Sequence, residues 1–173
     1  MAKKIIFAFM LLLASNIAAA ADSKYDPFLL ANEHKSEYTS YLKSLFDRAE
    51  NVPVKKVSSI PNLKKGSPGY KFRSEIKRQT KANQVNFAGE WTLVVVGCGT
   101  GCGRYFLVQS ETGNVIDPHL TSTNGNPLFV KDKNILVTSG SIEATTLDEA
   151  KKGVWGGPKA WQWNGESFEE IAL

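Results

Sequence analysis

The run Trp91-Thr92-Leu93-Val94-Val95-Val96-Gly97-Cys98-Gly99-Thr100-Gly101-Cys102-Gly103-Arg104-Tyr105-Phe106-Leu107-Val108 decides the fold class. Residues 91–96 and 105–108 are dense in the aromatic and β-branched side chains that strands favour. The segment between them carries four glycines, which let a chain reverse tightly. The run therefore reads as two strands closed by a short turn, with Cys98 and Cys102 at the neck. Facing positions at such a neck bring Cβ atoms near the separation a disulfide requires.

Working towards the C-terminus, the strand pattern repeats. Glu111-Thr112-Gly113-Asn114 reads as a turn, after which Val115 and Ile116 resume a strand. Residues 128–130 and 135–138 read as two strands joined across Lys131-Asp132-Lys133-Asn134. Ala160-Trp161-Gln162-Trp163 and Ser167-Phe168 flank Asn164-Gly165, a strong hairpin signal. Residues 140–157 lack a period and read as a loop with a helical turn at 146–151.

Towards the N-terminus the period changes to that of helices. Tyr38, Tyr41, Leu42, Leu45 and Phe46 recur at helical spacing, predicting an amphipathic helix over about 34–50. Asp26-Pro27 suits a helix start. Residues 51–69 hold Pro53, Pro61, Pro68, Gly66 and Gly69 and read as an irregular connection. A second short helix is expected over 70–82, with Phe72 and Ile76 on one face. Helices first and then an antiparallel β meander with a disulfide-closed hairpin make the class α+β.

The first residues read as an export signal over 1–21: Lys3 and Lys4, an apolar run from Ile5 to Ala14, then small residues up to Ala21. That run is too short to span a bilayer. The expected organisation is the signal at 1–21, an N-terminal helix with a basic connection at 22–69, and a helix plus β-rich body at 70–173. The last two are expected to form one globular domain, periplasmic or secreted. Without Lys3 and Lys4, the 21 basic residues fall to 19 against 17 acidic, a net charge of +2. The distribution is uneven. Residues 51–85 carry nine basic residues and one acid, Glu75, a local charge of +8.

Asn86-Phe87-Ala88-Gly89-Glu90-Trp91 followed by Gly97-Cys98-Gly99-Thr100-Gly101-Cys102 resembles a family of uncharacterised bacterial secreted proteins. Members carry Asn-Phe-Ala-Gly-x-aromatic, a strand, and then Gly-Cys-Gly-Thr-Gly-Cys. The likeness runs from about Tyr70 to the C-terminus and leaves residues 22–69 outside it. It implies an exported β-rich domain and no particular reaction. Many members have His where this chain has Glu90, so no role passes from that histidine to Glu90.

Catalytic motifs are sparse. The sequence lacks G-x-S-x-G, H-E-x-x-H and a phosphate-binding glycine loop. An even cysteine count in an exported chain favours a structural Cys98–Cys102 disulfide. Two alternatives stay open: a thiol–disulfide redox pair, with Arg104 as the nearest cation, and half of a metal site with the distant His34 and His119. Glu90 is the acid a hydrolase would use beside the cysteine hairpin. Neither a cofactor nor a metal is expected.

The leading expectation is a non-enzymatic binding domain. Thr100, Arg104, Glu90 and Trp155 would form a ligand or partner loop. Lys64, Lys65, Lys71, Arg73, Lys77 and Arg78 would form a patch for an anionic surface, an acidic glycan or an envelope protein. Nucleic acid does not suit an exported chain with so few aromatics among its basic residues.

Overall fold

The computed structural model describes residues 26–123, 126–140, 143–152 and 157–173; the expected signal at 1–21 and Trp155 lie outside them. Asp26 starts the first helix, α1 (Pro27–Glu33), by accepting from the Phe28 amide at 2.8 Å. The helix expected from His34 begins three residues later, as α2 (Glu37–Arg48). The reason is a capping box: the Ser36 side chain accepts from the Thr39 amide while Thr39 returns a bond to the Ser36 amide. Its buried stripe of Tyr38, Leu42, Leu45 and Phe46 follows the predicted spacing.

After a 3-10 turn (Tyr70–Phe72) comes α3 (Arg73–Asn83), which buries Ile76 and Thr80. Gln79 pins it to the neighbouring strand by donating to the Val95 carbonyl and accepting from the Val95 amide.

The long hairpin pairs β1 (Trp91–Gly99) with β2 (Cys102–Gln109), Leu93 facing Leu107 and Val94 facing Phe106. Beyond it lie β3 (Val115–Ile116), β4 (Thr121–Thr123), β5 (Asn126–Phe129), β6 (Ile135–Gly140), the one-turn helix α4 (Leu147–Lys151), β7 (Lys159–Trp163) and β8 (Phe168–Ile171). The meander expected from the sequence divides. Among the described residues the strands form two antiparallel sheets, β1-β2-β3 with β4 also on β2, and β5-β6-β7-β8. β3 covers only Leu107 and Val108 of β2, so after Asp117-Pro118 the chain returns to pair Thr121–Thr123 with Cys102, Gly103 and Arg104.

Side-chain alternation stacks these elements in four layers. α2 packs Tyr38, Leu42 and Phe46 onto Leu128, Ile135 and Val137 of the second sheet. The other face of that sheet sets Phe129, Leu136 and Trp163 against Trp91, Leu93, Tyr105 and Leu107 of the first. The outer face of the first sheet sets Val94, Val96, Phe106 and Val108 under Ile76 of α3. Both faces of β1 and β2 are therefore covered, which is why they read as continuous apolar runs. Each such side chain, once buried, contributes about 1.5–3 kcal/mol.

Residues 51–69 form an extended strap over the ends of the first sheet. Its entry is fixed where the buried Lys133 donates from Nζ to the Ala49 carbonyl at 2.7 Å, closing the end of α2. From there the Lys55 amide bonds Gly89, the Ser58 and Ser59 amides both bond the Ser110 carbonyl, and the Asn62 amide bonds Gly113 at 2.7 Å.

Candidate functional site

Of the described loop residues, Glu90 stands apart from Thr100 and Arg104. Cys98 and Cys102 are disulfide-bonded with Cα atoms 5.1 Å apart, at the hairpin tip as expected. They are not directly opposite each other. A register shift between Gly97 and Gly99 sets Gly99 against Cys102 and leaves Cys98 as the extra residue of a bulge. Thr100 is exposed at the turn. Glu90 is not beside this tip, because it precedes the first residue of β1 whereas Thr100 follows the last. Nine strand residues put them about 30 Å apart. Glu90 instead pairs with Lys55 at 2.8 Å, and Lys55 also reaches Glu111 at 3.4 Å. The hydrogen bond to Glu90 is the main cause of an upward shift in the Lys55 pKa.

Arg104 has a defined setting. Its guanidinium pairs with Asp117, whose side chain is only 11% exposed, and lies 5.5 Å from the Phe106 ring centroid. It borders a groove of about 340 Å³ shared with Tyr70, Lys71 and Phe72. His119 is 83% exposed, with Nδ1 3.7 Å from Asp117.

The basic segment splits by partner. Arg78 folds back on Glu75, donating from Nε at 2.9 Å, and Gln79 adds a bond at 2.6 Å. These hydrogen bonds, that of Arg78 first, hold the Glu75 carboxyl down at about 2. Arg73 stacks 4.8 Å from the Tyr70 ring centroid. Lys64 and Lys65 are exposed in the turn before Gly66. Lys71 borders the Arg104 groove, while Lys77 borders a second groove.

That second groove, about 390 Å³, runs between the strap and α3. Val57, Ile60 and Pro61 line one side, and Lys77, Thr80, Lys81 and Gln84 the other. At Val57 and Gln84 it meets a third, of about 510 Å³, bordered by Lys55, Lys56 and Lys131. Lys56, Lys77, Lys81 and Lys131 make no ion pair among the described residues. Ile60 is 82% exposed.

Lys81 and Ile60 are additions to the sequence-derived set. The spacing Arg73, Lys77, Lys81 signals a cationic line along one side of α3. Lys131 comes from the β5–β6 turn, and no local pattern points to it. The face as a whole offers cations beside an apolar trough, an arrangement suited to holding an anion that carries apolar surface. Comparison with protein-family models, curated proteins and solved structures found no match. The likeness that runs from about Tyr70 to the C-terminus therefore rests on the sequence alone.

Proposed function

We propose that this chain is an exported binding protein of the cell envelope, periplasmic or secreted, that holds an anionic partner on the face made by α3 and the strap. The disulfide supports an oxidising compartment. No described helix is long and apolar enough to cross a membrane.

One observation carries the reading. Arg73, Lys77 and Lys81 stand four residues apart on an eleven-residue helix. Like charges at that spacing cost about 0.2–0.5 kcal/mol per pair. Among the described residues neither Lys77 nor Lys81 has an acidic partner that offsets the cost, whereas Arg78 on the same helix does. A charge arrangement that weakens its own helix and leaves its cations unpaired beside a groove is accounted for by an external anion.

The test uses the chain from Asp22, with dextran sulfate and phosphatidylglycerol vesicles as anionic probes and phosphatidylcholine vesicles as control. Binding to the anionic probes, weakened by salt and lost in Lys77→Glu/Lys81→Glu, is expected. Failure to bind either probe, or binding indifferent to the charge reversal, overturns the reading.

The redox alternative keeps one supporting observation, the exposure of Cys98 at the hairpin tip. A reduction potential below about −300 mV would remove it.

A further inference from the structure

We infer that the groove between the strap and α3 takes the acyl chain of a single-chain anionic amphiphile, a medium-chain fatty-acid anion whose carboxylate lies between Lys77 and Lys81. This rests on the proposed anionic partner and specifies its chemistry.

The apolar side of the groove is displayed rigidly. Ile60 is the most exposed large apolar side chain among the described residues, at 82%. Slack does not account for that exposure. The Ser58 and Ser59 amides are bonded to Ser110 on one side of Ile60, and the Asn62 amide to Gly113 on the other. Gly113 lies so close that a Cβ there would sit 1.9 Å from the Ile60 carbonyl oxygen. The strap is thus pressed against the Gly113 turn and holds Ile60, with Val57 and Pro61, at the groove. Exposed isoleucine fixed beside a trough is preorganised for apolar contact, because little ordering remains to oppose binding.

The polar side fixes the head group. Lys77 and Lys81 are neighbours on the helix surface, with Cβ atoms about 5–6 Å apart. One carboxylate can accept from both ammonium groups. The volume of about 390 Å³ suits one chain rather than two. Lys56 and Lys131 at the adjoining groove bring charge to its far end, which limits how far an apolar tail can extend.

The experiment is calorimetric titration of the chain from Asp22 with dodecanoate below its micelle concentration. Acetate, dodecyltrimethylammonium and dextran sulfate are compared. Dodecanoate is expected to bind at least about tenfold more tightly than either acetate or dodecyltrimethylammonium, which separate the tail from the charge. Ile60→Ser, at a site the fold does not bury, should weaken dodecanoate by about tenfold with an unchanged circular dichroism spectrum. Lys77→Gln/Lys81→Gln should weaken it similarly. If dextran sulfate binds but dodecanoate is no better than acetate, or Ile60→Ser has no effect, the acyl-chain inference falls and the anionic reading stands. If neither dodecanoate nor dextran sulfate binds, both fall.

Discussion

Replacing Gly113 by alanine should loosen the strap, and Gly66→Ala supplies an internal control. Both glycines have positive φ, +69° at Gly113 and +89° at Gly66. An L-residue in that region costs about 1–2 kcal/mol at either site. The surroundings differ. A Cβ at Gly66 meets nothing within 4 Å, whereas at Gly113 it lies 1.9 Å from the Ile60 carbonyl oxygen and 2.9 Å from its carbon. That overlap involves backbone on both sides, so the strap must move. Moving it breaks the 2.7 Å bond from the Asn62 amide to the Gly113 carbonyl, a further net loss of about 1 kcal/mol. Gly113→Ala should therefore cost about 3 kcal/mol, lowering the melting temperature by about 6–12 °C. Gly66→Ala should cost about 1 kcal/mol. Urea unfolding followed by tryptophan fluorescence gives both values, and hydrogen exchange at the Asn62 amide reports the strap directly. Equal costs for the two variants, or an Asn62 amide as protected as in the parent chain, would refute the locked strap.

Three further outcomes are expected. Cys98→Ser/Cys102→Ser should cost about 2 kcal/mol in urea unfolding, because the bridge closes a loop with a sequence separation of only 4; failure to fold would contradict a bridge confined to the hairpin tip. Tyr38→Phe should be neutral or stabilising at pH 7, since the buried hydroxyl has no hydrogen-bond partner among the described residues. Burial pushes the Tyr38 pKa up to about 12 from 10. The neutral form's contribution is complete below pH 10 and lost as pH rises towards 12, so the variant should be less sensitive to alkali in a pH series of unfolding curves. Glu75 has the opposite sign. Its pKa is lowered from 4.5 to about 2, so its contribution is present above pH 4.5 and lost as pH falls towards 2. Glu75→Gln should flatten that acid limb by less than about 1 kcal/mol, as suits a surface pair, measured by melting temperature against pH.

Local signals were legible in the sequence where one segment determined its own conformation. Asp26 starts its helix, Asn164-Gly165 turns the last hairpin, and the helical turn expected at 146–151 forms as α4, whereas the Ser36 capping box that sets the start of α2 was not read. The division into two sheets was not legible, because it depends on which strands meet across a gap. Thr121–Thr123 is three polar residues whose strand character comes from pairing with Cys102–Arg104. The misplacement of Glu90 has a similar origin. Eight residues before Cys98 is near in sequence, but a nine-residue extended strand carries the intervening chain the length of the sheet.

The basic segment announced its charge and hid its sorting. Glu75, also bonded by Gln79, occupies Arg78, while the strap presents Ile60 opposite Lys77 and Lys81. The strap's path depends on amide bonds to Gly89, Ser110 and Gly113, contacts that no periodicity within residues 51–69 encodes.

We propose above all that the α3–strap face holds an anion. The most direct test is the affinity of the chain from Asp22 for phosphatidylglycerol vesicles, measured across a salt series for the parent and for Lys77→Glu/Lys81→Glu. Each basic residue near an anionic surface contributes about 1 kcal/mol. Salt-sensitive binding that the double reversal weakens by more than about tenfold is therefore expected. Equal affinity of the two proteins at every salt concentration would contradict it.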